Sequence, residues 1–218
     1  MTAYSKPQDR LDPALIHASN IVKPQTKFKK HINNSSDTEW SSSMRHKYNA
    51  QVPLGYRFCA EDAQQPSQHP YAYEIDHLNY PRRMFERCNP TQPLAFEKTP
   101  FTWVDTVQTF SMMLDSLRLA EEIALDLEYH SYRSFAGFVC LMQLSTREAD
   151  FIIDTLLLRE ELEELNEVLT NPGIVKVLHG AESDIVWLQQ NFNLYVVNLF
   201  DTYHASKVLG MFTQFLHW

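Results

Sequence analysis

Ile123-Ala-Leu-Asp-Leu-Glu128 is the stretch that decides the fold. Ile123, Leu125 and Leu127 share one parity, and Asp126 and Glu128 share the other. Side chains at i and i+2 of a strand point to the same face. The spacing therefore predicts a half-buried strand with two carboxylates side by side on its other face. Two like charges so close repel and raise each other's pKa unless a cation joins them. Mg²⁺ and Mn²⁺ take oxygen donors of this kind. In isolation an Asp-x-Glu pair is a common chance pattern, and an edge strand with a solvated acidic face explains it more simply.

The pattern extends both ways from this strand. Phe138–Ser145 and Asp150–Thr155 read as two further strands, and the short connections make the three antiparallel neighbours. Upstream, Phe101-Thr-Trp-Val reads as a strand. Asp105 or Thr106 then caps a helix in which Val107, Phe110, Leu114 and Leu117 recur at helical spacing to about Arg118. Downstream, residues 160–170 read as a helix stopped by Asn171-Pro-Gly, and Ile174–Leu178 as a strand. Ala181 to about Asn191 reads as a helix, Tyr195–Phe200 as a strand, and Thr202 to about Leu209 as another helix. This order predicts an α/β domain with a central mixed sheet. Five glycines in the whole chain leave little room for a glycine-rich phosphate loop.

The first 98 residues have a different texture. Nine of the eleven prolines lie there, Asn33-Asn-Ser-Ser and Ser41-Ser-Ser are linker-like, and periodic apolar runs are absent. The sequence thus divides into an extended, largely irregular arm over 1–98 and a partial α/β domain over 99–218. Phe28, Trp40, Tyr71 and Tyr73 are placed to pin the arm onto a neighbouring surface.

Charge follows the same division. Residues 1–98 carry 13 Lys/Arg against 10 Asp/Glu, whereas residues 99–218 carry 6 against 17. The acidic part is not a nucleic-acid binder by bulk charge. A carboxylate cluster holding divalent ions also makes a domain acidic, and the ions then meet phosphate. Much of the charge, in Glu160, Glu161, Glu163, Glu164 and Glu167, reads as one exposed helix face. The 218 residues allow one domain plus an extension, or two small ones. The apolar runs are far shorter than the roughly 20 residues of a membrane span. The start lacks the apolar core of a signal peptide. Cys59, Cys88 and Cys140 form no Cys-x-x-Cys pair, which fits a reducing intracellular compartment.

Asp184, in His179-Gly-Ala-Glu-Ser-Asp184, adds a third carboxylate. The strand before it is expected to end near the sheet edge reached by Asp126, with Asp184 about one turn inside the following helix. A favourable charge near a helix N-terminus explains an acid there, but not its meeting with Asp126 and Glu128. Asp201, in Phe200-Asp-Thr, reads as a helix N-cap sooner than as a ligand.

Asp126-Leu-Glu128 resembles the first motif of the DEDD superfamily of 3′→5′ exonucleases, and His179–Asp184 the second motif of its RNase D-like branch. Asp126–Phe135, Leu141–Thr146, Asp150–Thr155 and Phe200-Asp-Thr resemble the exoribonuclease family of the nuclear RNA exosome. So do Lys23–Phe28 and His69–Glu74 in the arm. The resemblance implies an RNase H-like (DnaQ-like) exonuclease fold with a mixed sheet flanked by helices. It implies two Mg²⁺ or Mn²⁺ ions held by Asp126, Glu128 and Asp184, one activating a water and one stabilising the leaving 3′ oxygen. It further implies single-stranded RNA as substrate, exosome core subunits as partners, a role in rRNA maturation, and a nuclear, nucleolar location. His130, Tyr132, Arg133 and His179 are the candidate nucleotide contacts, Tyr132 by stacking and Arg133 on phosphate. An ordinary strand-to-strand turn accounts for residues 130–133 as well.

A third motif of that family, Tyr-x-x-x-Asp, finds no match. The fourth residue after Tyr203 is Lys207. The expectation is a C-terminally incomplete exonuclease domain with one sheet face uncovered. The alternative reading is an inactive fragment that binds RNA or exosome subunits.

Overall fold

The computed structural model describes residues 22–29, 40–56, 69–131 and 134–211. Residues 1–32 form one unit and residues 33–218 another. Within the first, Pro24–Lys27 is a 3₁₀ turn.

The second unit is built on a six-stranded sheet. Its strands are β1 (Phe101–Val104), β2 (Glu122–His130), β3 (Phe138–Ser145), β4 (Asp150–Asp154), β5 (Val175–Leu178) and β6 (Leu199–Asp201). Their order across the sheet is β1-β4-β3-β2-β5-β6. β2, β3 and β4 are antiparallel neighbours, as their short connections predict, and the outer pairings are parallel. The helices are α1 (Ala72–Asp76), α2 (Val107–Arg118), α3 (Asn166–Leu169), α4 (Glu182–Phe192) and α5 (Thr202–Val208). Thr106 is the cap of α2: its hydroxyl accepts from the Thr109 N–H, and the Thr109 hydroxyl accepts from the Thr106 N–H.

Strand alternation sorts the sheet into two unlike faces. Val104, Ile153, Met142 and Leu127 stand in one buried row across β1, β4, β3 and β2. α2 covers this face with Phe110, Met113, Leu114 and Leu117, and α4 with Leu188 and Phe192. Burying such side chains contributes about 1.5–3 kcal/mol each. On the opposite face, Trp103, Ile152, Gln143 and Asp126 form the corresponding row. Trp103 is 43% exposed, and Gln143 and Asp126 are exposed as well.

Three elements differ from expectation. Residues 160–170 hold no continuous helix: Leu162–Leu165 is a 3₁₀ turn that runs into the single turn of α3. Asn166 directs this change. Its side chain is buried, donates to Glu163 O and Asn193 O, and accepts from Tyr195 N. β6 is shorter than expected, because Tyr195–Val197 are buried and Asn198 takes a left-handed backbone with φ 64°. The Val197 N–H bonds Leu169 O in place of a sheet neighbour. Asp184 lies in the first turn of α4, nearer its start than one full turn inside.

Residues 40–56 and 69–80 form a strap along this unit. Tyr71 is fully buried and donates its hydroxyl to Tyr48 O at 3.0 Å. Tyr195 donates to Ser42 Oγ at 2.7 Å. Asn49 Nδ2 donates to Glu167 O and to Thr170 Oγ1, both at 2.9 Å. Trp40 stays 43% exposed, so it is not one of the pins. Tyr73 stacks on His77 at 4.0 Å between ring centres.

Candidate active site

Asp126 and Glu128 occupy the exposed parity of β2, while Ile123, Leu125 and Leu127 of the other parity are at most 7% exposed. The strand holds them in this orientation because slipping by one residue would drive two carboxylates into the core. β5 runs beside β2 with Ala124 opposite Val177, so β5 ends just short of the level of Asp126. The chain then turns at Gly180, whose φ of +71° suits glycine, and enters α4. That turn delivers Asp184 to the end of the sheet where Asp126 stands. The carboxyl of Asp184 is pushed up to about 6, first by burial and then by the negative charge of Asp126. Asp184 and Asp126 thus lie in each other's field, and Asp201 and Glu182 add to the same repulsion. Oxygen donors that repel one another at one sheet edge suit a hard divalent cation.

Asp201 has a different task. Its Oδ1 accepts from Gly180 N at 3.0 Å, Tyr203 N at 2.8 Å and His204 N at 3.3 Å, and its Oδ2 from Ala181 N at 2.8 Å. One carboxylate therefore caps α5 and also holds the amides that lead into α4. Burial works against the charge, but these four N–H groups outweigh it and keep the carboxyl below its ordinary range. Glu182, Asp201 and His204 bring donor atoms within 4.8 Å of one another. The Asp201 oxygens are already spent on backbone, and His204 Nε2 meets Glu182 Oε1 at 2.9 Å. This trio serves helix ends before it serves an ion.

The candidate nucleotide contacts divide. His179 is exposed at the same edge as Asp126, with Nδ1 2.9 Å from Thr202 Oγ1. Thr202 gives its hydroxyl proton to Leu178 O, so His179 Nδ1 donates, which leaves Nε2 of the neutral ring as an acceptor. His130 ends β2 and lies against the buried Phe138 ring at 5.3 Å. Tyr132 and Arg133 lie outside the described residues.

Two features of the site escaped the sequence reading. Tyr129 stacks face to face on Trp187 at 4.1 Å and donates its hydroxyl to Ala136 O. The stack fastens α4, three residues beyond Asp184, to the residue after Glu128. Asn191, one turn further on, accepts from Val139 N at 3.2 Å and ties the helix to β3. A Trp at i+3 from a candidate ligand was the one signal available.

Comparisons with known proteins agree with this geometry. A family profile described as 3′-5′ exonuclease matches residues 101–216. The exosome complex exonuclease RRP6 of Saccharomyces cerevisiae is 49% identical over 195 residues, covering 88% of this chain and 27% of that protein. Exosome complex component 10 of Homo sapiens is 40% identical, covering 90% of this chain and 25% of its own length. The crystal structure of the catalytic core of RRP6 from Trypanosoma brucei superposes with a TM-score of 0.74 at 36% identity. It covers 88% of this chain and 50% of that one. The chain thus spans about a quarter of the curated relatives it matches. The six-stranded mixed sheet is the RNase H-like exonuclease fold of that catalytic core. The chain belongs to the 3′-5′ exonuclease family, and its relatives include the exosome complex exonuclease RRP6 and exosome complex component 10.

Proposed function

We propose that this chain carries the metal-binding half of a 3′→5′ exoribonuclease site, with Asp126, Glu128 and Asp184 as ligands for two Mg²⁺ or Mn²⁺ ions. The observation that supports the reading is that Asp184, carried back by α4 after β5 ends, lies in the electrostatic field of Asp126. Bound there, the ions supply an activated water and charge neutralisation at the leaving 3′ oxygen. The chain's own residues do the positioning. β2 fixes Asp126 and Glu128 at strand spacing, and Asp201 holds the amides that aim α4. His179 Nε2 is placed to take a hydrogen bond from the substrate's sugar or phosphate. The exosome as partner comes from the relatives' names; single-stranded RNA, rRNA maturation and a nuclear, nucleolar setting come from the motif resemblance, and all belong to this proposal. So does the division into an arm over 1–98 and a nuclease domain over 99–218.

A second reading is RNA or exosome binding without cleavage. Lys207 on α5, its Nζ 4.1 Å over the Tyr203 ring, offers a cation suited to phosphate contact.

The test is digestion of a 5′-labelled single-stranded RNA by the purified chain with Mg²⁺, against an Asp126→Asn control. A ladder shrinking from the 3′ end, lost in the variant, supports the nuclease. Intact RNA with a folded sample supports the binding reading.

A further inference from the structure

Residues 99–218 hold six Lys/Arg, and the fold spends most of them on itself. Arg118 pairs with Asp115 and Glu167, and Arg147 with Glu122. Half-buried Arg159 donates to Asn191 O, and buried Lys176 to Asn171 O and Ile174 O. Arg133 lies outside the described residues. Among the described residues, Lys207 is therefore the one Lys or Arg of this stretch with neither a carboxylate nor a carbonyl partner. A lysine in the last turn of α5 complements the helix dipole, which explains its charge but not where that charge is held.

Tyr203 holds it. The Lys207 ammonium stands 4.1 Å over the Tyr203 ring, one turn back along α5. The His179 ring lies 5.7 Å from the same ring, at 75° to it. Tyr203 thus links Lys207 to the sheet edge where His179 stands. An ammonium over a ring keeps N–H donors to spend. At that edge Asp184 feels the negative charges of Asp126, Asp201 and Glu182. The same field repels a polyanion, and an uncommitted cation beside it offsets that repulsion. His179 supplies the complementary group, because its Nδ1 donates to Thr202 and its Nε2 is an acceptor.

We propose that Lys207 and His179, joined through Tyr203, form a ribose–phosphate subsite: Lys207 binds one backbone phosphate and His179 Nε2 accepts the 2′-hydroxyl of the same strand. The inference deepens the RNA reading above and rests on it. Tyr203 acts as the positioning residue for the ammonium. An RNA strand alternates phosphates, which accept, with 2′-hydroxyls, which also donate. Both kinds of group therefore find a partner here. A DNA strand satisfies Lys207 but has no 2′-hydroxyl for His179. An acidic peptide meets the same carboxylate field and likewise brings no 2′-hydroxyl.

The test uses the chain carrying Asp126→Asn, expected to leave RNA intact, with a labelled single-stranded RNA and the matched DNA. Binding is read by fluorescence anisotropy over a salt series. Lys207→Gln should raise Kd for both strands and flatten the slope of log Kd against log salt by about 0.7, the share of one phosphate on a single strand. Lys207→Arg should restore the slope, and Tyr203→Leu should raise Kd by less than Lys207→Gln does. His179→Ala should raise Kd for RNA about two- to tenfold, the worth of one hydrogen bond, and leave DNA unchanged. An unchanged salt slope in Lys207→Gln overturns the subsite, and so does an unchanged ratio of RNA to DNA affinity in His179→Ala. Loss of affinity for a glutamate-rich peptide in Lys207→Gln, with RNA binding intact, overturns it in favour of a protein partner. An absence of RNA binding by the parent overturns the subsite and the RNA reading together. The expected variant effects with no cleavage by the unmutated chain support the subsite and count against the nuclease reading alone.

Discussion

The Asp201 carboxylate accepts a 2.8 Å hydrogen bond from the Ala181 amide, so the end of β6 holds the start of the helix that carries Asp184. Asp201→Ala removes acceptors from four backbone N–H groups. It should destabilise the chain by about 1–3 kcal/mol. It should also weaken Mn²⁺ binding, although Asp201 is not one of the proposed ligands. Asp201→Asn keeps one oxygen and should fall between the two. Denaturant unfolding and a Mn²⁺ titration on the same samples check both effects.

Asp184→Asn should separate stability from metal binding. The half-buried carboxyl carries a pKa raised to about 6 by burial and by Asp126. A raised acid makes the folded chain bind more protons than the unfolded chain between about pH 4 and 6, so stability falls as pH rises through that window. Removing the charge should stabilise the metal-free chain at pH 7 by about 1 kcal/mol after solvent screening. The Mg²⁺-induced rise in melting temperature should vanish in the same variant.

Lys176 sets a second, opposite pH dependence. Its side chain is buried, donates to Asn171 O at 2.7 Å and Ile174 O at 2.5 Å, and has a pKa lowered by burial to about 7. Between pH 7 and 10.5 the unfolded chain holds more protons than the folded one, so stability climbs with pH across that window. The expected gain is on the order of a few kcal/mol. Lys176→Met should flatten the climb in a series of unfolding curves and outlast the wild type at pH 6.

Gly137 has φ +62°, and a Cβ built there overlaps the Tyr129 phenol. Gly137→Ala should therefore cost about 2–4 kcal/mol. The Tyr129–Trp187 stack should loosen with it, visible as a change in near-UV circular dichroism. A variant with wild-type stability and spectrum would remove the stack from the account of how α4 is held.

Lys47 and Glu74 form a buried pair at 2.7 Å, with side chains 4% and 3% exposed. Breaking such a pair strands a charge. Lys47→Met should cost about 2–4 kcal/mol and expose the strap to limited proteolysis. The double variant Lys47→Met with Glu74→Leu should recover part of the loss.

Legibility followed the distance over which each contact acts. β1 to β5 were visible because alternation and turn residues are local signals. The cap at Thr106 and the N-cap role of Asp201 were legible for the same reason. Asp201's hold on Gly180 and Ala181 was not, because those amides are 21 and 20 residues away. Lys176 is a charge within the apolar strand Ile174–Leu178, and two carbonyls close in the chain let it stay inside. The 3₁₀ course of residues 162–165 depended on Asn166 reaching Asn193 and Tyr195. The strap looked irregular because its partners are side chains and carbonyls far along the sequence.

That separation sets an order of events on the ribosome. Ser42 waits for Tyr195, 153 residues later, before its bond can form. At about 5–20 residues per second of synthesis, the wait is roughly 8–30 s. Throughout it the strap has only its internal contacts, such as Tyr71 on Tyr48 O and Tyr73 on His77, an interval in which a chaperone can hold it. The strap is therefore made first and laced to Tyr195 only after β1 to β5 have been synthesised.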